Sequence, residues 1–207
     1  MTPEQYRDVK QYYKLSIAFD SFTEIKKSCK YAIDHKLGSA DPGYYAIAVG
    51  IVTLYGRPFT DNAKVGKLSP KLVPTEFQDL HSTLIDLRNK AFSHSDADGE
   101  LSGHGKMTEV RVSFNGSHLH SFSSRPVFEP VLLPSIERLA DQLSAQAKKQ
   151  GDDLFTKMMS VIIPMLRETD IGKEFQLNVE DETAPMFVRA ADSIEHKYPV
   201  VRPLSDI

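Results

Sequence analysis

The residue pair with the clearest chemistry is Arg88 and His94, separated by five residues. A histidine titrates near neutral pH and can act as a general base, while an arginine stays charged and can grip a phosphate with two parallel hydrogen bonds. RNA cleavage without a metal uses the neighbouring 2′-hydroxyl as nucleophile, so it needs one group to take that proton and one cation to hold the developing negative charge. An arginine and a histidine are a sufficient minimal pair for that reaction.

The surrounding sequence makes the pair more specific. It reads Leu-x-x-Leu-Arg-Asn-Lys-x-x-x-His-Ser-Asp over residues 84–96, late in an amphipathic pattern. This resembles the R-x(4–6)-H signature of the HEPN superfamily, in which a polar residue follows the arginine. The resemblance implies an up-and-down helical bundle, a site formed where two copies of the motif meet in a homodimer, and metal-independent RNase activity. On this resemblance Arg88, Asn89 and His94 are the expected catalytic residues.

A helical wheel shows what the motif requires of its helix. Arg88 falls about 60° to one side of the apolar stripe and His94 about 60° to the other, at about 100° per residue. The stripe is formed by Phe77, Leu80, Leu84, Leu87 and Ala91. The two side chains therefore converge only if the helix loosens near Ser93 or if a partner chain supplies one of them. The same pattern fits two residues that merely border a buried stripe.

The composition is that of an ordinary folded domain. The chain has 207 residues, of which 41% are hydrophobic, and its formal net charge is −3. This is enough for one sizeable core, and the slight acidity argues against tight autonomous RNA binding. The single cysteine, Cys29, is expected to be a small buried hydrophobe. No leader or membrane-spanning stretch is visible, so a cytoplasmic protein without membrane contact is expected.

Hydrophobic periodicity predicts a mainly α fold of four or five helices. A domain over 1–169 is expected to contain the bundle, and 170–207 to form a C-terminal extension or tail. The predicted helices are 3–36 (ended near Gly38), 41–55, 74 to about 94, 130–149 and 152–168. Gly151 is expected to interrupt the last two, and Pro164 to kink or end the final one.

A β-hairpin is predicted at 107–123, inserted between the third and fourth helices. Apolar and polar residues alternate there, and Asn115-Gly116 predicts a type I′ turn. A short strand is also predicted near 174–179.

Other chemistry-bearing residues have weaker patterns. His118 and His120, two apart on a predicted strand, could bind a metal with His104 or with Asp96 and Asp98, but no recognised ligand spacing is present and an exposed hairpin is the favoured interpretation. Gly103-His104-Gly105-Lys106 lacks the glycine and the Ser or Thr of a phosphate loop and is rejected. No metal and no cofactor are predicted.

Two further groups have a functional and a structural interpretation. Tyrosines could form a stacking platform for bases, although core-boundary positions are commoner for them. Carboxylates on the helices could do acid–base work, although solvated faces are the default. The tyrosines are Tyr12, Tyr13, Tyr44 and Tyr45, and the carboxylates are Asp79, Asp86, Glu137 and Asp141.

Two hypotheses follow. The first is a homodimeric HEPN-type endoribonuclease with an RNA substrate and an antitoxin or regulatory protein as partner, a setting that the resemblance alone implies. The second is a non-catalytic helical module that binds a protein or small ligand, with Arg88 in a structural ion pair to Asp86 or Asp96.

Overall fold

The computed structural model describes residues 2–61, 66–92, 100–101, 105–106, 109–124, 127–162, 175–177 and 187–189. Within them the chain is mainly helical with a small antiparallel hairpin, as predicted. Four α-helices make up most of the structure, and short 3₁₀ turns lie at 57–59, 70–72, 75–77 and 130–132.

The first helix, α1 (Pro3–Asp34), starts where the sequence predicts. The Thr2 hydroxyl accepts a hydrogen bond from the Gln5 amide at 3.2 Å, and the Gln5 side chain accepts one from the Thr2 amide at 2.7 Å. This capping box satisfies two donors that a helix start leaves free. The predicted stop at Gly38 is wrong in detail, because the chain turns earlier. Lys36 adopts the left-handed region at φ 52°, and the Leu37 amide donates to the Ala32 carbonyl at 3.0 Å.

The second helix, α2 (Pro42–Gly56), is the central element. Its apolar residues were predicted to be buried on nearly every side, and this is confirmed only in part. The fully buried members are Tyr44, Ala48, Ile51, Val52 and Tyr55. They contact core residues from the other helices, whereas Ala46 and Thr53 on the opposite face are exposed.

The third helical segment changes geometry along its length. A 3₁₀ turn at Thr75–Phe77 leads into α3 (Gln78–Asp86), and the chain then continues as a π-helix over Leu87–Phe92. A π-helix has i to i+5 hydrogen bonds and is rare outside functional sites and insertions. The predicted helix is therefore present, but its motif-bearing end is not regular α-helix.

The hairpin pairs β3 (Glu109–Phe114) with β4 (Leu119–Ser124), confirming the predicted hairpin. The turn type is wrong, because a type I′ turn would need positive φ at Asn115 and Gly116, and of these two only Gly116 has it, at 95°. The Asn115 side chain explains the shift. Its amide oxygen accepts hydrogen bonds from the backbone amides of Ser117 and His118, which fixes Asn115 before the turn.

The fourth helix, α4 (Leu133–Ile162), is one continuous helix where two were predicted. Gly151 lies inside it and is buried, and a Cβ at this position would stand 3.9 Å from the Leu15 Cβ. Glycine costs a helix interior only about 1 kcal/mol relative to alanine, so packing against α1 outweighs its propensity. Pro164 lies outside the described residues.

Helices α1 and α4 are antiparallel and share the largest interface of the fold. Near one end Lys157 bonds Asp8 at 2.7 Å and Glu4 at 3.2 Å, and further along Lys26 bonds Asp141 at 2.6 Å. These exposed ion pairs contribute little to stability themselves. They do establish the register, since residues early in α1 meet residues late in α4.

Two further two-stranded ladders are present. The first pairs β1 (Glu100–Leu101) with β2 (Gly105–Lys106). The second pairs β5 (Phe175–Leu177) with β6 (Phe187–Arg189), so the predicted strand near 174–179 exists and has an unpredicted partner. None of the helices in the described part of the chain combines the length and apolar character needed to cross a bilayer.

A buried hydrogen bond fixes the chain before α4 to α2. The Tyr44 hydroxyl donates to the Phe128 carbonyl at 2.7 Å, and the two rings meet edge to face.

Tyr44→Phe should lower the free energy of unfolding by about 1–3 kcal/mol, because it leaves a buried carbonyl without a donor. The matched control is Tyr45→Phe, on the next, half-buried residue, which should change stability little. Equal losses in urea unfolding of the two variants would contradict this assignment.

Candidate functional site

Arg88 lies on the π-helical segment and is half-buried. Its Nη1 donates a hydrogen bond to the side-chain oxygen of Asn89 at 2.9 Å. Adjacent residues on a regular α-helix do not face each other, whereas the wider π turn reduces the rotation between them. The local geometry therefore orients Asn89 against the guanidinium, which is the positioning role expected for that residue.

The stem of Arg88 lies directly over Gly56, the last residue of α2. A Cβ at Gly56 would stand 2.8 Å from both the Cγ and the Cδ of Arg88. Real Cβ atoms do not approach other carbons so closely, so only glycine permits this placement. Gly56 has φ −71° and is not needed for an unusual backbone conformation. The missing side chain of Gly56 leaves the space that the Arg88 stem occupies. From the sequence alone, this glycine marks only the end of a helix.

No acid among the residues that the structure describes neutralises the charge of Arg88. Within the described residues no carboxylate lies within salt-bridge distance of the guanidinium, so the ion pair with Asp86 required by the non-catalytic hypothesis is not formed. Asp96, the alternative partner, lies outside the described residues. An arginine bonded only to an amide oxygen keeps its full charge and further donors for an anionic group.

His94 lies outside the described residues, so its distance from Arg88 stays a prediction. The helical-wheel argument assumed regular α-helix from Phe77 to His94. Because the chain is π-helical from Leu87 to Phe92, the angles that the wheel assigns beyond Leu87 do not apply. The sequence analysis placed the loosening of the helix near Ser93. The structure has a wider, π-helical turn about one turn earlier, beginning at Leu87.

The structure shows a buried polar pair, Tyr55 and His81, that was not predicted from the sequence. The Tyr55 hydroxyl lies 2.7 Å from Nδ1 of His81, and the Phe59 ring packs edge-on against the imidazole at 4.7 Å. Burial lowers the pKa of His81 and raises the pKa of Tyr55, so both groups stay neutral. One hydrogen bond joins the phenol oxygen to Nδ1, and the imidazole tautomer decides which of the two donates. The signal was available, because His81 is spaced four residues after Phe77 on the apolar stripe.

His118 and His120 lie close together at the end of the hairpin, with ring centroids 6.5 Å apart. His118 lies in the hairpin turn while His120 lies on β4, so the expectation that both occupy a strand is wrong. The His118 ring contacts the Ser117 hydroxyl at 2.9 Å, and the His120 ring contacts the Asn115 side chain at 3.1 Å. No group of three metal-binding side chains occurs within the described part of the chain, and His104 lies outside it.

The four candidate tyrosines do not form a stacking platform, and the Cys29 thiol is not activated. Tyr44 is buried and Tyr12 packs against Phe155, so the four tyrosines share no surface. Burial, and then the nearby charge of Glu137, raises the pKa of the Cys29 thiol to about 12. A thiol with that pKa carries no thiolate at neutral pH, so the expected structural role fits.

The four candidate carboxylates do not assemble into an acid–base pair. Asp141 is bound to Lys26, and Asp79 is exposed on α3. Glu137 and Asp141 lie one turn apart on α4. The geometry therefore leaves Arg88 with Asn89 as the group best arranged to contact an anion.

Comparison of the chain with protein-family models, with curated proteins and with solved structures finds no match.

The space at Gly56 can be tested against a glycine in the same helix. Gly50→Ala places a Cβ with nothing within 4 Å, and it should stabilise the protein by about 0.5–1 kcal/mol through ordinary helix propensity. Gly56→Ala must displace the Arg88 stem, so it should lose that gain and destabilise the protein. Equal stabilisation by both substitutions in denaturant unfolding would show that Arg88 does not need this space.

The buried His81 predicts a pH dependence of stability. Its pKa in the folded protein lies below the unfolded value of about 6.5, so below about pH 6.5 the unfolded state takes up a proton that the folded state excludes. The free energy of unfolding should therefore fall with acidity, by at most about 1.4 kcal/mol per pH unit from this group, and be independent of it above that range.

His81→Gln keeps a hydrogen-bond partner for Tyr55 and removes the titration. Urea unfolding of wild type and variant at pH 7.5 and 5.5 isolates the effect, since other titrating groups are common to both. The stability difference between the two proteins should shrink at pH 5.5. A difference that stays constant would mean that His81 is not held neutral.

Proposed function

We propose that this protein is a metal-independent endoribonuclease of the HEPN type that acts as a homodimer. The proposal combines the resemblance of residues 84–96 with the local arrangement around Arg88. The supporting observation is a guanidinium with no carboxylate among its described neighbours, held by Asn89 at 2.9 Å and seated on Gly56. An arginine placed in this way is prepared to bind a phosphate.

The proposed reaction needs few groups. Arg88 holds the scissile phosphate and stabilises the charge of the pentacoordinate transition state. His94 takes the proton from the 2′-hydroxyl, or stabilises the transition state together with the same residue of the second copy. The 2′-oxygen attacks phosphorus, the bond to the 5′-oxygen breaks, and that oxygen takes a proton from water, so the products are a 2′,3′-cyclic phosphate and a 5′-hydroxyl. Asn89 orients the guanidinium.

The dimer and the partners belong to the same proposal. In the family the two motifs meet across a two-fold axis, which would bring a second Arg88 and His94 to each phosphate. The net charge of −3 argues for transient contact with RNA rather than tight binding. A cytoplasmic setting with a neutralising antitoxin or regulatory protein follows from the resemblance.

A second candidate, a protein-binding module, is favoured by one observation. Val112, Phe114 and Leu119 lie on one face of the hairpin and are 63%, 66% and 74% exposed. An apolar strand face of this kind is commonly covered by a partner. The two candidates are compatible if the hairpin binds a regulatory protein while the motif cleaves RNA.

Cleavage of a mixed RNA pool in EDTA tests the proposal. Wild type should cleave, and Arg88→Ala and His94→Ala should each reduce the rate by about 100-fold or more, the usual loss on removing a transition-state donor or a general base. Each variant must retain the wild-type circular dichroism spectrum. RNA cleavage that survives Arg88→Ala would overturn the role of this residue, and complete inactivity of wild type over a wide range of RNAs would favour the binding module.

Matched controls separate the motif from general charge loss. Lys149→Ala removes an exposed cation from α4, and His118→Ala removes an exposed histidine from the hairpin turn. Both should cleave at the wild-type rate. A loss comparable to that of the motif variants would indicate non-specific RNA binding or a contaminating nuclease.

A further inference from the structure

A second basic site lies beside the end of α2, formed by residues that the proposed RNase chemistry does not use. A pocket of about 120 Å³ is lined by Tyr13 and Lys14 from α1, by Arg57 and Thr60 from the chain after α2, and by Gly66. Ile17 and Pro58 complete its wall. Two cationic residues and a tyrosine therefore line one small volume.

The position of Lys14 depends on Gly66. The ammonium group lies 3.8 Å from the place that a Cβ on Gly66 would occupy, and Gly66 adopts the left-handed region at φ 77°. A glycine at this point lets the backbone turn and leaves the ammonium open to the pocket. Nearby, the Thr60 hydroxyl donates to the Gly56 carbonyl at 2.8 Å, which holds the loop to the end of α2.

The pocket carries positive charge that is not paired. Neither Lys14 nor Arg57 has a carboxylate within salt-bridge distance among the described residues. Asp61, the described acid next along the chain, is exposed and does not line the pocket. Because the Thr60 hydrogen is already donated, the donors left for a ligand are the ammonium, the guanidinium and the Tyr13 hydroxyl.

The size of the pocket restricts the ligand. Its volume equals that of about four water molecules and is below the range of about 300–1,000 Å³ typical of pockets that enclose a whole small molecule. A compact oxyanion fits these limits. Donors from two separate segments suit a tetrahedral anion, to which arginine can bind through two oxygens while lysine acts as a point charge.

We propose that this pocket binds a phosphoryl group, either as inorganic phosphate or as the terminal phosphate of a small phosphorylated molecule. Arg57, at the exposed mouth, takes two of the oxygens, and Lys14 together with Tyr13 takes a third from the side of α1. The site is independent of the proposed RNase activity, because it uses neither Arg88, Asn89 nor His94.

The test is titration of the full chain with inorganic phosphate by isothermal calorimetry, at constant ionic strength set with chloride. Saturable binding of one phosphate per chain is expected. Arg57→Gln and Lys14→Gln should each weaken it by about tenfold or more, since each removes one charged hydrogen-bond donor. Lys149→Gln removes an exposed cation from α4, outside the pocket, and this variant should bind phosphate as wild type does.

Further arms identify the source of the phosphoryl group. Tighter binding of a nucleoside 5′-monophosphate than of phosphate, with no binding of the unphosphorylated nucleoside, supports a phosphate subsite for a larger ligand. Equal affinity for the nucleoside 5′-monophosphate and for inorganic phosphate supports free phosphate as the ligand. Should Arg57→Gln fail to fold, Lys14→Gln and Tyr13→Phe carry the comparison. Absence of saturable binding in wild type, or equal affinity in wild type and the pocket variants, would overturn the proposal.

Discussion

The buried face of α2 determines which elements of the fold meet. Its fully buried residues belong to one hydrophobic core together with residues of α1, α3 and α4. The two polar atoms that it carries into the core are satisfied by other elements: Tyr44 by the Phe128 carbonyl and Tyr55 by His81. These bonds join α2 to the chain before α4 and to α3. Hydrophobic burial thus supplies the stability, and the two phenols specify which elements meet.

The C-terminal end of α2 also organises the chemistry. Gly56 receives the stem of Arg88, and the next residue, Arg57, lines the small basic pocket. The motif segment becomes π-helical where it passes this end, so Asn89 comes within hydrogen-bond distance of Arg88. A helix fixed by a buried face is a rigid support, and rigid supports hold charged side chains in a defined geometry better than loops do. Two different anion contacts can therefore be organised from one helix end.

Hydrophobic periodicity was sufficient to predict where most elements lie. The capping residues of α1, the apolar wheel of α2 and the alternation in the hairpin each encode local structure, and the structure has these elements within a few residues of the predicted bounds. The misses have two physical causes, a tertiary contact for Gly151 and local side-chain hydrogen bonds for Asn115. Gly151 remains helical because it packs on α1, and Asn115 leaves the turn because its side chain caps it.

The site was less predictable than the fold. The motif could be read from the types and spacing of its residues, but the π turn and the space at Gly56 arise from packing between α2 and the motif segment. Nothing in the periodicity of residues 77–92 distinguishes a π turn from an α turn. The basic pocket joins residues more than 40 positions apart, and no local pattern connects Lys14 with Arg57. His94 stays a sequence prediction, because it lies outside the described residues.

The proposed cleavage of RNA through the neighbouring 2′-hydroxyl is tested by comparing two substrates of identical sequence. One is an RNA that wild type cleaves in EDTA, and the other carries a 2′-O-methyl group at each position of cleavage. Only the unmodified RNA should be cut, leaving a 2′,3′-cyclic phosphate and a 5′-hydroxyl. Cleavage of the methylated RNA at a similar rate, or products with a 5′-phosphate, would contradict the proposal.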